Sequence, residues 1–67
     1  MEEFEIIEYL ESECQFRDFE FRPMSEYHKY TTIQWHIKNP NRETLEKAVS
    51  NFCQRGGGTI YIYLDEK

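Results

Sequence analysis

Cysteine, proline and glycine are all scarce in this chain of 67 residues: two, two and three respectively. Cys14 and Cys53 are too few and too far apart to staple a disulfide-framed miniprotein. The three glycines stand together at Gly56-Gly57-Gly58, and the prolines are isolated at Pro23 and Pro40. No Gly- or Pro-rich linker therefore divides the chain, and one domain over 1–67 is expected. No apolar run approaches the roughly 20 residues of a membrane span. The opening Met1-Glu2-Glu3 has neither the basic nor the apolar region of a secretion signal. These absences predict a cytoplasmic protein with reduced thiols and no membrane contact.

Basic charge is also in short supply, with 8 Lys and Arg against 13 Asp and Glu for a net −5. Residues 1–26 hold nine acids against Arg17 and Arg22, whereas residues 27–67 carry a small basic excess. A surface of this sign repels nucleic acid and anionic membrane, and it favours a basic partner. What the chain has in quantity is rings, at 16% aromatic residues. Large rings supply burial that a domain this short cannot obtain from length alone.

The strongest pattern follows the glycine triplet. Thr59-Ile60-Tyr61-Ile62-Tyr63-Leu64 is uncharged and alternates, with Ile60, Ile62 and Leu64 on one face and Thr59, Tyr61 and Tyr63 on the other. A second alternation over Thr31–Lys38 points Ile33, Trp35 and Ile37 inward, and a third over Gln15–Arg22 ends at Pro23. Leu45, Ala48, Val49, Phe52 and Cys53 recur at helical spacing, opened by Asn39-Pro40-Asn41 and closed by Gly56. In residues 2–14, Ile6, Ile7, Leu10 and Cys14 share a helical stripe, with Phe4 and Tyr9 at its margins. A strand over Phe4–Leu10 competes there, against the low strand preference of glutamate. Both thiols fall on helix stripes that call for burial.

The expected fold is α+β in the order α-β-β-α-β: a three-stranded mixed sheet with both helices on one face. The first two strands form an antiparallel hairpin, and the second and third run parallel across a helical crossover. The uncovered face then shows Phe16, Asp18, Glu20, Thr32, Gln34, His36, Lys38, Tyr61 and Tyr63. A flat uncharged last strand belongs in the centre of a sheet or against another chain, so a homodimer through that strand is a further expectation.

Catalysis and metal chemistry find little support in the spacing. His28, between Tyr27 and Lys29, has the chemistry of a general base, but local sequence sets no nucleophile beside it. Cys14, His28, His36 and Cys53 lack the short spacings of a structural zinc site. The triplet closes a helix rather than opening one, which is wrong for a phosphate cradle. Arg55 to Ile62 is superficially similar to the signature strand of RNA-recognition domains, but Gly57, Thr59 and Ile62 stand where stacking aromatics belong. No enzyme activity, cofactor or metal is expected.

Two features remain as functional leads. Glu2, Glu5, Glu8 and Glu11 recur every third residue, giving a winding row of carboxylates on a helix. Tyr61 and Tyr63 place rings on a sheet face with no evident cover. Solvation also accounts for each without a partner, and for the carboxylate row it is the stronger account. In size and composition alone the chain resembles small regulators or inhibitors of phages and mobile elements. The expectation is a non-enzymatic interaction module that inhibits or regulates a basic nucleic-acid-handling protein. Glu5, Glu8, Glu11, Asp18 and Glu20 would supply charge, and His36, Tyr61 and Tyr63 anchors. The alternative is a nucleic-acid-binding domain using Lys29, Lys38, Arg42, Lys47 and Arg55.

Overall fold

The alternation after the glycine triplet becomes a strand, and that strand holds the middle of the sheet. The computed structural model describes residues 1–30 and 35–65, without the side chains of residues 28–30. Helix α1 (Glu3–Glu8) runs on into a π turn (Tyr9–Glu13), followed by β1 (Phe19–Pro23) and a 3-10 helix (Met24–Tyr30). Then come β2 (His36–Lys38), α2 (Arg42–Arg55) and β3 (Ile60–Leu64). The class is α+β, as the periodicities predict. Among the described residues no helix is long and apolar enough to cross a membrane.

The sheet order is β1-β3-β2, and both edge strands run parallel to β3. Phe21 and Ile37 flank Ile62 from either side, as Glu20 and His36 flank Tyr61. The parallel β2–β3 pair agrees with the crossover expected from the sequence. The antiparallel hairpin does not form, and the sheet is wholly parallel rather than mixed. Its physical cause is the 3-10 helix: it leaves the end of β1 across the tyrosine face, so the chain reaches β2 on the far side of β3 instead of turning back beside β1. Both edges of β3 are thereby occupied, which closes the edge through which a second copy was expected to pair.

One core fills the space between the helices and the aliphatic face. Ile6, Leu10, Leu45, Ile60 and Ile62 are fully or almost fully buried there, with Phe52 and Tyr9 beside them. Each buried aliphatic side chain is worth about 1.5–3 kcal/mol. Along α1 and the π turn the buried positions are Ile6, Tyr9 and Leu10, so the stripe is rotated toward the tyrosine, and Phe4 is left 67% exposed. The N–H of Cys14 donates to the Tyr9 carbonyl at 3.1 Å, the wide π spacing, and Gln15 then takes a left-handed φ of 50°. This exit drops Phe16 into the core, edge-on to Phe52 at 4.9 Å, rather than onto the opposite face where alternation puts it. Cys14 is half-buried and Cys53 is exposed, so the second thiol departs from its expected burial.

Helix α2 begins and ends as its sequence dictates. The Asn41 Oδ1 accepts from the Thr44 N–H at 2.8 Å, and Gly56 ends the helix at φ 86°, where any side chain would strain the backbone. Trp35 is also left-handed, at φ 74°, and its ring packs on Phe52 at 5.9 Å. The strand expected over Thr31–Lys38 is β2 at His36–Lys38; Thr31, Thr32, Ile33 and Gln34 lie outside the described residues.

Candidate functional site

The site residues expected from sequence fall into two separate places. The first is a cleft of about 320 Å³ where α1 meets the start of α2, lined by Met1, Glu5, Glu8, Tyr9, Glu13 and Arg42. Glu5 also closes the first turn, its Oε1 accepting the Glu2 N–H at 2.9 Å. Arg42 is the first residue of α2, where the helix dipole disfavours a cation. The fold compensates by setting its guanidinium 5.0 Å from the Tyr9 ring centre and 3.2 Å from the Glu13 carboxylate. Three carboxylates thus share the cleft with one guanidinium. Burial, with Cys14 and the charges of Glu46 and Glu13 adding to it, holds the Tyr9 phenol above its ordinary pKa. Tyr9 stays neutral and serves as a wall for the cation.

The second place is the sheet face opposite the helices. His36 stacks on Tyr61 with ring centres 4.8 Å apart and planes 9° from parallel, and its Nδ1 lies 2.6 Å from the Tyr63 hydroxyl. Burial lowers the His36 pKa from its ordinary value. Arg22 stands over Tyr61 at 5.4 Å and bonds the Glu20 carboxylate at 3.0 Å. Alternation does point both tyrosines away from the helices, but the face is not open. The 3-10 helix lies over it, Tyr27 meets Tyr63 edge-on at 5.1 Å, and Tyr63 has no exposure at all. As an exposed anchor Tyr63 is therefore corrected to a buried residue, while Tyr61 and His36 are half-buried.

Glu5 and Glu8 join in the cleft, and Glu20, His36, Tyr61 and Tyr63 gather on the sheet; Glu11 and Asp18 belong to neither group. Sequence reasoning gave no site role to Tyr9, Glu13 or Tyr27, and assigned Arg42 only to the alternative. The spacing of Tyr9 and Glu13, one helical turn apart, was the available signal for the cleft. Tyr27 had none, because its place depends on a non-hairpin return.

No protein-family model, curated protein or solved structure matches the chain. Among the described residues no cluster of three or more His, Cys, Asp or Glu is arranged to hold a metal. His28 lies outside the described side chains. Of the bases proposed for nucleic acid, Arg42 is paired with Glu13 and Lys47 with Glu43 at 3.2 Å. Lys38 stands 5.4 Å from the Tyr27 ring centre, and the Lys29 side chain is outside the description.

Proposed function

We propose that this chain is a small non-enzymatic interaction module, an inhibitor or regulator that sets its acidic helical face against a basic nucleic-acid-handling protein. The observation that carries the reading is the cleft: Glu5, Glu8 and Glu13 converge around the Tyr9 ring, which already holds the guanidinium of Arg42. An arginine or lysine of a partner meets the same chemistry there, carboxylates at the rim and an aromatic wall behind. Carboxylates on a rigid support also present the charge that a nucleic-acid-binding groove is built to receive. The basic residues favour the alternative less, because Arg42 and Lys47 are engaged by carboxylates of this chain.

Affinity capture from native lysate tests the reading. The wild-type chain is expected to retain basic proteins that salt releases, and the double variant Glu8→Lys, Glu11→Lys to lose them, while the Glu5 cap and the Glu13–Arg42 pair stay intact. An unchanged set of captured proteins refutes it. A gel shift at low salt separates the alternative: a shifted nucleic-acid band would replace the proposal with direct binding.

A further inference from the structure

The sheet ends at β1 on one side and at β2 on the other. The β2 edge is three residues long and closes with Lys38, the kind of short, charged edge that resists further pairing. The β1 edge is longer, five residues over Phe19–Pro23, and among the described residues no strand lies beyond it. The 3-10 helix that follows runs the other way, carrying Tyr27 to Tyr63 and Lys38. We propose that β1 is a self-pairing edge: two copies of this chain join antiparallel through Phe19–Pro23, about a two-fold axis at Phe21, into one continuous sheet. This inference does not rest on the acidic-face reading.

The Ile60 N–H donates to the Asp18 carbonyl at 2.9 Å, and that bond sets the phase of the strand. Peptide groups alternate in direction, so those of Glu20 and Arg22 point at β3 and those of Phe19 and Phe21 point outward. With the axis at Phe21, the two Phe21 residues exchange N–H···O=C bonds, and each Phe19 N–H donates to the Pro23 carbonyl of the other copy. Pro23, which has no N–H to offer, stands at the end of the ladder, where an edge strand tolerates it. Side chains select this register over its neighbours. Glu20 of each copy stands opposite Arg22 of the other, whereas an axis at Phe19 would set Glu20 against Asp18, one at Glu20 two glutamates together, and one at Arg22 two arginines. Glu20 and Arg22 already pair at 3.0 Å within one chain, so association joins two such pairs into a cluster of alternating sign. On the other face Phe19 and Phe21 are half-buried with their rings edge-on at 5.9 Å, and pairing covers the apolar surface they leave open. The two-fold contact uses the β1 edge of both copies, so assembly stops at two.

Sedimentation equilibrium from about 10 μM to about 1 mM tests the association, a range suited to a one-strand contact at the small, weak end of interfaces. The mass is expected to rise from one chain toward two. Glu20→Arg and Arg22→Glu should each hold the chain as a monomer, because each sets like charges opposite one another; unchanged far-UV circular dichroism shows that the fold stands. An equal mixture of the two variants should recover the dimer, since opposite charges then face each other across the axis. In the wild type an isotope-filtered NOE is expected between the Glu20 and Arg22 α-protons of different copies, which antiparallel pairing brings together at a non-hydrogen-bonded pair. A mass of one chain throughout, a dimer that survives in either folded variant, a mixture that stays monomeric, or a dimer without that NOE overturns the proposal. Should a variant fail to fold, absence of the wild-type NOE overturns it alone.

Discussion

Replacing Ile62 by alanine should take away a large part of the stability of this domain. Ile62 has no exposure, lies in the central strand and is flanked in register by Phe21 and Ile37, so no neighbouring strand is free to slide into the space. Truncating a buried isoleucine to alanine costs about 2–5 kcal/mol, the upper end applying where surroundings cannot collapse. At about 0.05–0.15 kcal/mol per residue, a chain of this length has roughly 3–10 kcal/mol in total. With a urea slope near 1 kcal/mol per molar for so small a protein, the unfolding midpoint should fall by about 2–5 M. Trp35 fluorescence and far-UV circular dichroism follow the same transition. Phe4→Ala is the control, because Phe4 is 67% exposed and its removal should shift stability by no more than about 0.5 kcal/mol. A loss below about 1 kcal/mol for Ile62→Ala, or one equal to that of Phe4→Ala, would refute the placement of β3 at the centre of the core.

Two further outcomes follow from the termini of the helices. Asn41→Ala should cost about 1 kcal/mol in the same denaturation assay by orphaning the Thr44 N–H, and Asn41→Ser should recover most of it; equal losses for the two variants would show that the cap contributes nothing. The raised pKa of Tyr9 means that folding favours the protonated phenol, so its contribution is complete below about pH 10 and is lost as pH climbs through the folded value. Tyr9→Phe should therefore flatten the alkaline decline of stability, and an unchanged slope would argue against the buried phenol.

Helix α2 was legible because its signals are local: Asn41 can cap only from just outside the first turn, Gly56 tolerates positive φ, and Leu45, Ala48 and Phe52 repeat at the helical period. The strand nature of Ile60–Leu64 and the direction of its tyrosines were legible for the same reason, since alternation is a property of consecutive residues. Along α1 and the π turn the helical period puts Ile6 and Leu10 in the core as expected, whereas Tyr9, expected at the margin of the stripe, is buried with them and Ile7 is only half-buried. Of the candidate site, the carboxylate row was visible in the spacing of Glu2, Glu5, Glu8 and Glu11. Its convergence with Tyr9 and Arg42 was not, as Arg42 arrives from another helix.

The sequence by itself determined the α+β class, the extent of α2, the alternating faces of the last strand and the acidic character of the first third of the chain. Tertiary structure alone decided that β1 joins β3 rather than β2, that all three strands run parallel, and that a 3-10 helix buries Tyr63. The division has a physical reason: periodicity and capping act over a few residues, whereas strand partners and the cover of a sheet face depend on the route the chain takes between elements.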